Sequence, residues 1–194
     1  MASLAHHFLT MAYNNAWANH RLLQACLQLT PADFAAVRTS FFPSIKATLN
    51  HILTVDWYYI DMLERALAGR PPNPEARKFF EPEEPFAACG PLAQAQRAAD
   101  ARLIALCTGL TEAQLDGAVQ VPRASGIYTD RASRILAHLF QHQIHHRGQV
   151  HAMLAGTPVA PPQLDEFFCT HEAPLRAADF AVLGFTEAQI WGSA

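Results

Sequence analysis

DRASRILAHLFQHQIHHRGQVHAMLAG, residues 130–156, places Ile135, Leu136, Leu139, Phe140, Ile144, Val150, Met153 and Leu154 at the three-to-four-residue spacing of a helical face. Asp130 stands where an N-cap is expected and Gly156 where a helix stops. Into this helix the sequence sets His142, His145 and His146. His142 and His146, four residues apart, share a face with Cβ atoms roughly 5–6 Å apart. Both rings can therefore aim a nitrogen at one metal ion ~2.0–2.1 Å away. His138 offers an alternative pair with His142, His145 is turned about 60° aside, and His151 lies on the opposite face. The Glu of the zinc-protease motif is missing, and the pair alone equally suits surface or hydrogen-bonded core histidines.

Outward from this segment, three more helices are legible. Residues 3–29 carry Leu9, Ala12, Tyr13, Ala16, Trp17, Leu23, Cys26 and Leu27 on one broad face, and Thr30-Pro31 ends them. His20 follows Tyr13 and Trp17 by helical steps and is expected to face the interior as a packed, hydrogen-bonded side chain. A second helix over 43–69 opens with Pro43 in its first turn and stops at Gly69. His51 shares its stripe with Thr48, Val55, Tyr58 and Met62, beside the most hydrophobic one. A third, Ala-rich helix covers 91–109. Between the second and third, residues 70–91 hold six of the thirteen prolines, so a long connection must join elements that are not adjacent antiparallel neighbours, or pack as a lid. Val119-Gln120-Val121-Pro122 and Gly126-Ile127-Tyr128-Thr129 suggest a short hairpin. The apolar tail after Gly156 should fold back across the bundle, with a short helix near residues 186–191. The expected architecture is all-α: a single domain over residues 1–194, a four-helix bundle with core helices at 3–29, 43–69, 91–109 and 130–155, a long crossover loop and a C-terminal extension packed on the bundle.

Composition narrows the function. A 51% hydrophobic and 16% charged chain of 194 residues favours buried helices. A net charge of −3 with scattered Lys and Arg leaves no footprint for nucleic acid. The N-terminus merges into a helix with no cleavable leader, and no run of ~18 apolar residues exists, so no membrane partner and a cytoplasmic location are expected. Cys26, Cys89, Cys107 and Cys169 form no Cys-x-x-Cys pair; Cys26 and Cys107 read as small buried hydrophobes, Cys89 and Cys169 as loop residues.

Met11-Ala12-Tyr13-Asn14-Asn15-Ala16-Trp17-Ala18-Asn19, Leu49-Asn50-His51-Ile52-Leu53 with Asp56, His142 through Val150, and Gly156-Thr157-Pro158 with Pro162-Gln163-Leu164-Asp165 together resemble the DinB/YfiT-like family of metal-dependent bundle proteins. The resemblance spans most of the chain. It implies that His51 joins the His142/His146 pair to hold a divalent metal, zinc or nickel, with an open position for water or substrate. Departures are Gln141, where Asn often precedes the first histidine of the pair, and a tail extended through His171. The implied activity is a metal-dependent transferase, isomerase or hydrolase, with a low-molecular-weight thiol attacking an electrophile in detoxification or stress response. Two other readings stay open: a non-catalytic metal- or ligand-binding stress protein, and a bundle whose histidines are structural. An exposed apolar helix face suggests a homodimer. Asp56, Asn50 and Gln149 are the candidates for orienting the rings, and Tyr13, Trp17, Tyr58 and Tyr59 for aromatic neighbours. Arg147 is expected to pair with Asp165 and pin the tail. His138, His145 and His171 have no assigned role.

Overall fold

The computed structural model describes residues 3–192. Four long helices make the bundle: α1 (Leu4–Cys26), α3 (Ile45–Leu67), α4 (Cys89–Thr108) and α6 (Ala132–Leu154). Shorter helices are α2 (Pro31–Ala35), α5 (Glu112–Leu115), α7 (Ala173–Leu183) and α8 (Glu187–Trp191). The expected hairpin is present as β1 (Ala118–Arg123) paired antiparallel with β2 (Gly126–Arg131), Val121 opposite Tyr128.

Around the bundle the order is α1, α4, α3, α6, each packed on two neighbours. Side-chain contacts fix the directions. Asn50 meets Phe86, Asp56 meets Gln96 and Glu64 meets Arg102, so α3 and α4 run parallel. His51 meets His142 and Tyr59 meets His138, so α3 and α6 run antiparallel. Phe8 stacks near Phe140 and Asn15 reaches Arg147, making α1 parallel to α6. Parallel neighbours force the chain to travel back the length of a helix, about 34 Å for 23 residues. This is why residues 68–88 form the long proline-rich crossover, with one 3-10 turn at Ala76–Phe80. Asn50 holds the end of that crossover, donating to the Phe86 carbonyl and accepting from its N–H, both at 2.9 Å.

Leu22, Leu53, Ile60, Leu92, Leu136 and Leu139 are fully enclosed in the main core, each burial contributing ~1.5–3 kcal/mol. The tail adds a second cluster, as expected of it: Phe167, Phe180 and Ile190 close over Trp17 and Ala18. Gly184, at φ 72°, ends α7 in the left-handed conformation that only glycine adopts readily. Arg176 is 1% exposed and forks onto both Glu187 oxygens at 2.9 Å, tying α7 to α8. Arg21 reaches Asp179, Glu166 and the Leu175 carbonyl, tying the tail to α1.

Several local expectations are corrected. Ser44, not a first-turn Pro43, starts α3, its hydroxyl accepting from Ala47 N–H at 3.0 Å. Asp130 does not cap α6: it lies in β2, and Arg131 occupies the cap without a side-chain bond, because the hairpin delivers the chain straight into the helix. Cys89 opens α4 instead of lying in a loop. Burial raises the thiols of Cys26 and Cys107, the latter to about 12, which agrees with inert core positions.

Candidate metal centre

α3 presents His51 from its second turn, and α6, antiparallel to it, presents His142 and His146 one turn apart. The rings converge: centroids are 4.9 Å apart for His51 and His142, 4.8 Å for His51 and His146, and 4.4 Å for His142 and His146. One nitrogen from each lies within 4.8 Å of the others. Nε2 of His51 and Nε2 of His142 face each other at 2.9 Å. His51 and His142 are half-buried and His146 is buried.

Burial, more than the neighbouring rings, disfavours charge on all three. It lowers His51 to about 4, with His146 adding to the effect. His142 falls to about 3, with His146, His51 and His138 contributing after burial. His146 is also lowered by burial, partly offset by its bond to Gln149. Near neutral pH the cluster therefore consists of neutral imidazoles, the form that carries a lone pair for a metal.

The donor set fits a divalent ion. Nδ1 of His146 meets the Gln149 Oε1 at 2.8 Å; an amide oxygen only accepts, so the proton sits on Nδ1 and Nε2 keeps its lone pair. Nδ1 of His142 is buried with no protein partner among the described residues. Two Nε2 atoms at 2.9 Å either share one proton or turn both lone pairs to a common cation. Three imidazoles are one donor fewer than a four-coordinate divalent ion takes.

Of the expected orienting residues, Gln149 is in place. Asn50 and Asp56 are not against the rings: Asn50 fastens the crossover, and Asp56 is buried between Gln96 and Gln143. Arg147 does not pair with Asp165. It is 5% exposed, points between the helices, and donates to Asn15, Asn19 and Gln143. One residue past His146, it is turned about 100° around α6, which carries it inward to the carboxylates of Asp56 and Asp100 that attract it. Tyr13 and Trp17 belong to the tail side, against Phe185 and Phe167. Tyr58 donates its hydroxyl to the Pro122 carbonyl, and Tyr59 accepts from Arg123 at 2.8 Å and packs near His138.

The aromatic wall comes from residues that helical periodicity does not single out. Phe42 lies 4.3 Å from the His51 ring and 5.5 Å from His146, and Phe41 stands 6.4 Å from His146 with 78% of its surface exposed. Two adjacent phenylalanines before a helix cap were the available signal. His138 and His145 are exposed beside the cluster, the latter bonded to Gln149 at 3.0 Å. His151 meets the Pro162 carbonyl at 3.0 Å, and His171 lies on the surface near Glu172. His20 is half-enclosed near Asp179 at 3.9 Å, on the other side of the bundle.

The DinB family profile matches residues 2–177, which includes all four long helices and the three histidines. The chain belongs to the DinB family. A relative within it, "Protein DinB" of Bacillus subtilis (strain 168), is 28% identical over 158 residues, covering 76% of this chain and 85% of that protein. The family match ends inside α7, so the remainder of α7 and α8 lie outside the matched residues. No helix among the described residues is long and apolar enough to cross a membrane.

Proposed function

We propose that this DinB-family chain is a divalent-metal-dependent enzyme whose ligands are His51, His142 and His146, with zinc or nickel as the ion and a low-molecular-weight thiol as one substrate. The observation that carries the reading is the convergence of three neutral imidazoles from two helices beside the half-buried Phe42, with no fourth ligating side chain in the cluster among the described residues. A metal held this way supplies Lewis acidity, lowering the pKa of bound water to ~7 and favouring thiolate over thiol. The protein's part is positional. Gln149 fixes the tautomer of His146, Phe42 excludes water from one side of the His51 ring, and Phe41 offers an apolar face to the carbon skeleton of an electrophile. S-transfer or thiol-dependent isomerisation fits this division of labour, and detoxification in the cytoplasm is its natural setting.

Protein loaded with zinc or nickel is assayed for conjugation of low-molecular-weight thiols to a panel of electrophiles, beside His142→Ala. The expected result is turnover that needs the metal and is lost in the variant. Tight metal binding with equal, background rates for both proteins would replace the enzyme by a metal- or ligand-binding stress protein.

A further inference from the structure

A cavity of about 140 Å³ lies between α1, α4 and the C-terminal segment, on the α1–α4 side of the bundle and away from the histidines of α3 and α6. Its walls are apolar: Leu23 of α1, Ile104 of α4, and Leu183 with Phe185 of the tail. The last two lie beyond the residues that match the DinB family, so part of this cavity's wall lies outside the matched region.

Two charged side chains of opposite sign line it. Asp100 is 5% exposed, and all its hydrogen bonds go to Oδ1, from Asn15 at 3.1 Å, Asn19 at 2.9 Å and Gln96 at 3.3 Å. Its Oδ2 takes none and is not one of the fully enclosed side-chain atoms, so it stays open to the cavity that Asp100 lines. Arg97, three residues earlier on the same helix face, is exposed and has no ion pair among the described residues. His20 also lines the cavity; burial lowers its pKa, Asp179 opposes this and Arg97 adds to it, which disfavours a competing positive charge there.

We propose that this cavity binds a small zwitterion of the apolar α-amino-acid class, its ammonium on Asp100 Oδ2, its carboxylate on Arg97 and its side chain against Ile104, Leu183 and Phe185. The polarity follows from charge placement. A simple amine would be repelled by Arg97 at the mouth, and a simple acid by Asp100 at the floor. A molecule carrying both charges two bonds apart satisfies both residues, and its apolar part replaces contact between the walls and water.

Full-length protein is titrated with L-leucine and L-valine by calorimetry or amide chemical shift, with isopentylamine and 4-methylpentanoate as one-ended controls. Saturable binding of the amino acids, at least tenfold tighter than either control, is expected. Arg97→Gln and Asp100→Asn each weaken it tenfold or more, Ala101→Leu at the cavity rim abolishes it, and His142→Ala leaves it unchanged. Absence of saturable amino-acid binding by the parent, equal binding of either control, or unaltered binding in Arg97→Gln or Ala101→Leu would overturn the proposal. Because Arg97 and Ala101 are exposed helix positions, those two variants decide the question even if Asp100→Asn does not fold.

Discussion

Asp56→Asn isolates the electrostatics of the buried core from those of the histidines. Asp56 is 1% exposed, with Oδ2 accepting from Gln96 at 2.6 Å and Oδ1 from the Gln143 amide. Burial, reinforced by Asp100, pushes its carboxyl up to about 7, while the two amides and Arg147 pull the other way. The folded state thus holds this proton more tightly than the unfolded chain, whose Asp titrates near ~3.9. Stability from that proton is complete below about pH 4 and is lost as pH rises through 7. Between pH 5 and pH 8 the loss amounts to about 2–3 kcal/mol, at ~1.4 kcal/mol per pKa unit. The lowered histidines act with the opposite sign over the same range, losing stability as pH falls. An Asn at 56 does not titrate and leaves the histidines in place, so their contribution cancels in the difference between variant and parent. Gln96 Oε1, which has no partner among the described residues, can accept from the new amide if Gln96 turns over. Urea unfolding of metal-free parent and variant at pH 5 and pH 8 is the assay. The stability of Asp56→Asn relative to the parent is expected to rise by about 2–3 kcal/mol from the lower pH to the higher. A pH-independent difference, or one that falls, would refute the reasoning.

Gln149→Met keeps the side-chain volume but removes the acceptor of the His146 Nδ1 proton; chelator competition should show metal affinity falling by about 10–100-fold, whereas His145→Ala, altering an exposed ring, should leave affinity within about twofold. Removing a ligand with His51→Ala should reduce bound metal from one equivalent per chain to background in elemental analysis of untagged protein. Arg176→Ala strips the buried partner from Glu187, whose carboxyl that guanidinium holds below the usual range. Because Glu187 is 45% exposed and water can solvate it once Arg176 is gone, thermal unfolding should show a loss of only about 1–3 kcal/mol, and limited proteolysis should cut first after residue 160. Because Glu187 is lowered, its contribution is present above pH ~4.5 and fades on acidification.

Helical periodicity and punctuation carried most of the fold: the four long helices fall within a few residues of the ranges that their apolar faces mark out. The proline-rich stretch between α3 and α4 was legible as a crossover, because the number of residues exceeds what an antiparallel turn requires. What escaped was short or tertiary. α2 and α5 lack the length for a clear periodic signal, although Thr30 and Thr111 each accept an N-cap bond at their starts, and α7 follows Glu172 without a side-chain cap bond to mark its start. Arg147 was misplaced because charge suggests exposure, whereas its stripe faces α1. Asp56 and Asn50 were placed near the rings by proximity along α3, but residues one or five positions from His51 point about 100° or 140° away from it. Spacing brought forward His142 with either His146 or His138; the choice of His146 and the addition of His51 needed the family resemblance, since no local rule links residues 51 and 142.

The buried polar network, whose members lie far apart in the sequence, also explains how a site split between helices keeps its geometry. Apolar contacts between helices are non-directional, and a helix can shift by a fraction of a turn at small cost in buried area. Hydrogen bonds of fixed length cannot shift in this way. Gln143, one residue from His142, is bonded to Asp56 of α3, and Arg147, one residue from His146, is bonded to Asn15 and Asn19 of α1. Asp100 of α4 receives the amides of the same two asparagines. All four long helices are therefore tied at one level of the bundle, beside His142 and His146 of α6, by partners that leave little freedom in register. The cost is two carboxyls pushed upward by burial and a guanidinium lowered to about 10. An apolar layer at this level would give comparable or greater stability, so the network is better understood as fixing where His142 and His146 stand relative to His51 than as a source of folding energy.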